Sequence, residues 1–245
     1  MRLTVLGGCG AWPAAGQACS GYLVEHDGFR LLMDPGYATV PRLLGDVAAD
    51  QVDAVWVSHG HPDHCADLNP LLRARSLRAD PPPALPVWAP PGALDAVLAL
   101  DRPGMLDAAY TLHEVTAGAP FEIGPFQVTT RPLPHFVPNL GVRLEAGGTV
   151  LAYTGDTGPS PDVVALARDA DLLLAESTHV DRPEQPFLST ARVAGRQAAE
   201  AGARRLVLTH LWPGTDPATA GVMAAESYRG PIEVARAGLV VSLDP

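Results

Sequence analysis

Within six residues the chain carries His59, His61, Asp63 and His64. Neutral imidazole and carboxylate are the donors that divalent zinc, manganese and iron prefer. The spacing His59-x-His61-x-Asp63-His64 follows an apolar run, Val52 to Val57, and precedes a helical pattern of leucines, so it reads as a loop between a buried strand and a helix. Neighbouring side chains of an extended loop point in different directions. Two can therefore serve one ion and two another, which makes a binuclear site the natural reading. The alternative is a solvated histidine-rich loop. Histidine is sparse, at 8 of 245 residues, and three within six positions favour the metal.

Two cations about 3.5–4 Å apart hold a hydroxide between them at neutral pH, polarise an electrophile and stabilise both attacking and leaving oxygens, which is the chemistry of hydrolysis. No competing machinery is visible. There is no Gly-x-Ser-x-Gly elbow, and Gly7-Gly8-Cys9-Gly10 lacks the lysine of a phosphate cradle. Those glycines read as a turn or as part of the active-site rim.

The elements that must position these residues are legible from pattern. Leu3 to Leu6, Gly21 to Glu25 and Phe29 to Met33 are short strands, and Asp27-Gly28 is a hairpin signal. Further strands are expected at Val52 to Val57, Pro86 to Ala89, Ala109 to Glu114, Phe126 to Leu133, Leu140 to Glu145 and Thr149 to Tyr153. Leu68, Leu71, Leu72 and Leu77 mark one helix, and Gly92 to Leu100 another. From Pro161 onward helices and strands alternate: Pro161 to Arg168, Asp171 to Ala175, Ser189 to Ala201, Arg205 to Thr209 and Asp216 to Tyr228, with Ser189 and Asp216 as N-caps. Asp80-Pro81-Pro82-Pro83 reads as a surface loop. Two halves, each a meander followed by strand–helix units, predict an α/β protein of two facing mixed sheets with helices outside, in one domain over residues 1–245.

Composition narrows the function. Lys+Arg 17 against Asp+Glu 27 gives a net charge of −10, which disfavours extended nucleic-acid binding. The sequence shows neither a long apolar run nor a signal-peptide pattern, so no membrane partner and a cytoplasmic location are expected. Cys9, Cys19 and Cys65 are too few and too irregular for a disulfide framework or a thiolate site. Cys65 reads as helix packing, and His26 and His113 as surface residues.

The His59–His64 segment resembles the signature loop of the metallo-β-lactamase superfamily, and the resemblance runs along nearly the whole chain. It implies the αβ/βα four-layer sandwich. The superfamily has a further histidine, a metal-bridging aspartate and a last histidine; Pro134-His135, Thr154-Gly155-Asp156-Thr157 and Leu208-Thr209-His210 stand here in that order. Taken singly, His135 and His210 read as ordinary strand-end histidines. By the resemblance, His59, His61 and His135 would hold one metal, Asp63, His64 and His210 the other, and Asp156 would bridge them. Two divalent ions are implied, zinc first, with manganese or iron as alternatives. Asp34, in Met33-Asp34-Pro35-Gly36, resembles the superfamily's supporting aspartate or is a plain turn residue.

Asp156 stands where the commonest lactam-cleaving members carry cysteine, which points towards the phosphodiesterase and thioesterase branches. Leu6 to Gly10, Ala152 to Thr157 and Ala175-Glu176-Ser177-Thr178 resemble the ribonuclease Z-like branch. Three departures matter. Ala175 and Phe187 replace the histidines that the transfer-RNA enzymes carry there, and only 21 residues separate His135 from Asp156, too few for their RNA-grasping arm. Cys19 to Val24, Asp156-Thr157-Gly158, Leu188-Ser189 and Leu208 to Pro213 are similar to bacterial cyclic-nucleotide phosphodiesterases of this fold. The resemblance thus implies hydrolysis of 3′,5′-cyclic nucleotides or a similar small phosphodiester, with a small anionic nucleotide as substrate. Asp63, Asp156 and His179 are the candidate catalytic groups, His179 because it is nearest in sequence to the lost position 175. Alternatives are an RNA endonuclease, a thioester or lactone hydrolase, and an iron-dependent redox protein. A homodimer is implied by the branch alone.

Overall fold

Strands open the chain, as apolar runs broken by turn residues require. β1 (Arg2–Gly7), β2 (Gly21–His26) and β3 (Phe29–Met33) pair antiparallel. Asp27 and Gly28 form the β2–β3 turn, with φ of 48° and 82°, the primed geometry whose twist matches the flanking strands. β4 (Ala54–Trp56), β5 (Leu85–Ala89) and β6 (Tyr110–Glu114) then add in parallel. Between them lie α1 (Val40–Leu43), α2 (Pro62–Cys65), α3 (Leu68–Ser76) and α4 (Asp95–Leu98). The structure, a computed structural model, describes residues 1–243; residues 244 and 245 of the expected domain lie outside that range.

The second half repeats the plan. β7 (Phe121–Ile123), β8 (Phe126–Leu133), β9 (Asn139–Ala146) and β10 (Thr149–Tyr153) form a meander. β11 (Leu172–Glu176), β12 (Leu206–Thr209) and β13 (Ile232–Val234) follow in parallel, with α5 (Pro161–Leu166), α6 (Ala191–Ala201) and α7 (Pro217–Ala225). β14 (Val240–Ser242) returns to pair with β1. Two seven-stranded sheets result, in the orders β14-β1-β2-β3-β4-β5-β6 and β13-β12-β11-β10-β9-β8-β7.

Side-chain alternation explains the layers. Tyr22 and Val24 of β2, with Leu31 and Met33 of β3, face Val142, Leu144 and Tyr153 of the other sheet, while Leu23 and Leu32 turn outward onto Leu68, Leu71 and Leu72. On the far side Leu173, Leu206 and Leu208 pack beneath alanines of α6 and α7. Helices thus cover both outer faces, giving the αβ/βα sandwich. Among the described residues no helix is long and apolar enough to cross a membrane.

Several local expectations need correction. Thr190, not Ser189, caps α6, its hydroxyl accepting from the Val193 N–H. Gly92 to Leu100 yields only the single turn α4, because Pro90-Pro91-Gly92 leads into bends. Leu77 is exposed, since α3 ends one residue before it.

Topology positions the site. β4, parallel to β3, delivers the His59–His64 loop beside Asp34. β8 and β10 both run antiparallel to β9, so the loops bearing His135 and Asp156 leave the same edge, and β12 brings His210 there too.

Candidate metal centre

The loop after β4 is shaped by its small residues. Gly60 passes so close to Ala93 that a Cβ would meet its carbonyl oxygen at 2.6 Å. Pro62 then starts α2, whose single turn carries Asp63 and His64 at adjacent positions. After β10, Gly155 takes a φ of 60°, and the Asn139 amide donates to the carbonyls of Thr154 and Asp156 at 3.0 and 2.7 Å. His210 follows β12 directly, at a φ of 62°. A left-handed backbone at a histidine persists only where its surroundings enforce it.

The structure brings all seven sequence-predicted ligands together. His59, His61, His135 and Asp156 form one group; Asp63, His64, Asp156 and His210 form the other; within each, one donor atom per residue lies within 4.8 Å of the rest. In the first group His61 Nδ1 lies 3.1 Å from His59 Nε2 and 3.0 Å from His135 Nε2. Asp156 Oδ2 is 3.8 and 3.7 Å from those two Nε2 atoms. In the second, His210 Nε2 lies 3.2 Å from Asp63 Oδ2 and 3.1 Å from Asp156 Oδ2, and His64 Nε2 lies 3.1 Å from Asp156 Oδ1. Asp156 belongs to both.

Four imidazoles are held from behind. His64 Nδ1 donates to Asp34 Oδ2 at 2.8 Å and His135 Nδ1 to the Phe187 carbonyl at 3.0 Å. His59 Nδ1 faces Ser58 Oγ at 3.0 Å, and His210 Nδ1 faces Thr178 Oγ1 at 2.8 Å. Each outer nitrogen fixes a tautomer that turns the inner lone pair towards the cluster. Asp34 is fully buried, at a φ of 46°, and also accepts from the Ser58 N–H, the Ser58 hydroxyl and the Tyr153 hydroxyl at 2.6–2.7 Å.

The electrostatics divide the two groups. Burial, then the neighbouring His64, holds His59 well below the usual histidine range, and burial lowers His61 and His135. Burial opposes a charge on His64 as well, yet Asp156 and Asp63 outweigh it and push His64 well above that range. Burial would raise Asp156, but His210 and His64 hold it well below the carboxylate range. Buried anions here require a cation. His64 Nε2 and Asp156 Oδ1 are both buried without an aligned hydrogen-bond partner. Convergent imidazole nitrogens, orphaned atoms and buried carboxylates fit divalent ions in both groups.

Sequence reasoning missed the supports: Ser58, Tyr153, Thr178, the Ala11 N–H that donates to Asp63 Oδ2 at 2.8 Å, and Glu176. Glu176 ends the wholly buried strand β11, and accepts from the Thr178 and Ser189 N–H groups at 2.9 and 2.6 Å. An acid closing the run Leu172-Leu173-Leu174-Ala175 was the available signal. Burial pushes its carboxyl up to about 7. His179 is not hydrogen-bonded to the cluster; its ring packs edge-on to Trp212 at 5.2 Å, and its Nε2 is buried without a partner. Cys65 packs in the outer core, His26 is half-buried against Phe126, and His113 stacks on Trp88, all outside the two groups.

The family described as the beta-lactamase superfamily domain matches residues 29–211. A Bacillus subtilis protein named probable metallo-hydrolase YhfI is 32% identical over 98% of this chain and 99% of its own. The crystal structure of YhfI superposes with a TM-score of 0.89 at 30% identity, covering 98% of both chains. A ribonuclease Z from Myxococcus xanthus is 31% identical over 99% of this chain and 98% of its own. The crystal structure of human tRNase Z, short form, shares the fold at a TM-score of 0.80 and 22% identity, covering 100% of both chains.

Proposed function

The chain belongs to the beta-lactamase superfamily, and from that premise we propose that it is a binuclear metal-dependent phosphodiesterase acting on 3′,5′-cyclic nucleotides or a similar small phosphodiester. The observation that carries this reading is the convergence of five imidazoles and two carboxylates on one cleft, with Asp156 common to both groups. When bound, a pair of divalent ions, zinc first and manganese or iron as alternatives, supplies Lewis acidity to a phosphoryl oxygen and lowers the pKa of water towards neutrality. His59, His61 and His135 would hold one ion and Asp63, His64 and His210 the other, and the carboxylates among these groups would supply oxygen donors suited to chemistry at a phosphoryl group.

The residues around the cluster have separate tasks. Asp34 orients His64 and Ser58 orients His59, so neither ring can rotate away from the cleft. His179, with a buried nitrogen free of any protein partner, is the candidate that returns a proton to the leaving alkoxide. His179→Ala should slow an alkyl-leaving-group diester about a hundredfold and an aryl diester far less; equal rates on the alkyl diester remove His179 from this role.

The second reading is RNA cleavage, favoured by 31% identity to a ribonuclease Z. Against it, the span between His135 and Asp156 is the β9–β10 hairpin, closed by Gly147 and Gly148 and leaving no room for an arm. A panel of cyclic AMP, a precursor transfer RNA, an acyl thioester and a β-lactam, offered to the zinc- and manganese-loaded protein, tests the assignment. Preference for the small phosphodiester is expected; preference for the thioester or lactam overturns it.

A further inference from the structure

Aromatic residues make up only 6% of the chain, and most are buried or half-buried. Among the described residues the exposed aromatic side chains are Trp12, Tyr37, Phe136 and Phe187, at 48, 37, 52 and 37% exposure. All four stand on segments that carry or brace the metal cluster. Trp12 follows Ala11, whose N–H binds Asp63; Tyr37 follows Gly36, which presses against the Asp63 backbone. Phe136 follows His135, and the Phe187 carbonyl holds the His135 ring. Rings left in water on one rim mark a surface built for a ligand with apolar, planar faces.

Three of the four rings form two pairs, one beside each metal group, Trp12 with the half-buried Trp212 and Phe136 with Phe187. Trp12 and Trp212 approach to 5.6 Å between centroids, next to the segments of Asp63 and His210. Ala11 (φ 60°) and His210 (φ 62°), which precede the two indoles, both hold the left-handed backbone that residues with a Cβ rarely adopt. Phe136 and Phe187 approach to 5.1 Å, and Phe136 lies 5.3 Å from the His135 ring. Beside Phe136 opens a largely apolar cavity of about 440 Å³ walled by prolines 90, 91, 134 and 138. Each half of the cluster therefore has its own stacking platform.

Resting on the phosphodiesterase reading above, we propose that the preferred substrate within that class is a phosphodiester joining two nucleosides, with one base on Trp12–Trp212 and the other on Phe136–Phe187. A cyclic mononucleotide has a single base and fills one platform. A longer RNA meets a chain of net charge −10, with no cationic excess to neutralise its further phosphates. Hydrolysis adds one water across a P–O bond and releases a nucleoside and a nucleoside monophosphate.

The test uses the zinc-loaded full chain with adenylyl-(3′→5′)-adenosine, cyclic AMP and a twelve-residue oligoadenylate, together with Trp12→Leu, Phe136→Leu and the conservative Trp12→Phe. Thermal midpoint and zinc content verify each variant first. Both leucine variants should raise KM for the dinucleotide about tenfold with little change in kcat, the size expected when one base loses its aromatic partner. One of the two, not both, should raise KM for cyclic AMP, and Trp12→Phe should restore most of the loss. A dinucleotide KM unmoved by either leucine variant overturns the proposal and leaves the phosphodiesterase reading standing. So does a much lower KM for the oligoadenylate. Wild type that cleaves no diester at all, bis(p-nitrophenyl) phosphate included, sinks the reading itself.

Discussion

The His59–His61–His135 half of the cluster and the Asp63–His64–His210 half use similar donors and are supported differently. In the first, His61 and His135 are only half-buried, and the backing groups are a hydroxyl and a backbone carbonyl. In the second all three side chains are buried, and carboxylates stand both within it and behind it. The electrostatics follow: burial disfavours a proton on each imidazole of the first set, whereas Asp156 and Asp63 favour a cation at His64. Solvent reaches one half and the protein encloses the other. The open half is the side from which a ligand can reach the cluster, and the closed half holds Asp156 through His64 and His210.

Asp156 is the one side chain shared by both halves, so its removal carries the largest effect. Asp156→Ala should lower hydrolysis of bis(p-nitrophenyl) phosphate more than about a thousandfold, and bound zinc, measured by elemental analysis, should fall in both halves. Full activity in that variant removes the bridge from the site and erases the comparison.

Next in size is a stability effect inside the closed half. Burial raises Glu176 from 4.5 to about 7 in the folded protein. Between those values the folded state binds more protons than the unfolded one, so stability falls as pH rises through the window and is flat above it. The loss amounts to about 3 kcal/mol in metal-free protein. Urea unfolding of wild type and Glu176→Gln at pH 4.5 and 8 isolates it, because the shifted histidines contribute to both proteins and the difference between the two slopes is the share of Glu176. An unchanged slope assigns the titration elsewhere.

Much of this was legible because strand ends and ligands coincide. β8 and β10 have the bounds that their alternating apolar residues announce, and His135 and Asp156 follow within three residues of those ends. Asp27-Gly28 fixed a hairpin by conformational preference alone. What could not be read was whatever depends on contacts between distant segments. β7, β13 and β14 have three residues each, too short for a period to show. Ser58, Tyr153 and Thr178 gain their roles only when the two sheets form and pack face to face, since a hydroxyl in a sequence gives no sign of which ring nitrogen or carboxylate it will meet. Thr190 displaced Ser189 as a helix cap because α6 begins at Ala191, which puts Thr190 in the cap position and leaves Ser189 one residue outside it.

Asp34 and Ser58 sharpen the comparison at smaller amplitude. Asp34→Asn keeps the shape and removes the charge behind His64, so zinc affinity of the closed half should fall 10- to 100-fold in a chelator titration while the open half changes less. Ser58 spans the halves: its hydroxyl donates to Asp34 at 2.6 Å while its oxygen faces His59 Nδ1 at 3.0 Å. In Ser58→Ala, Asp34 keeps the Ser58 N–H, the Tyr153 hydroxyl and the His64 ring, whereas His59 Nδ1 loses its one side-chain partner. The open half should therefore suffer more, by up to about tenfold in affinity, which reverses the order expected for Asp34→Asn. Two variants one hydrogen bond apart that weaken opposite ions would establish that the halves are held independently; the same ion weakened in both would mean that Asp34 and Ser58 act as one unit and that the division drawn here is wrong.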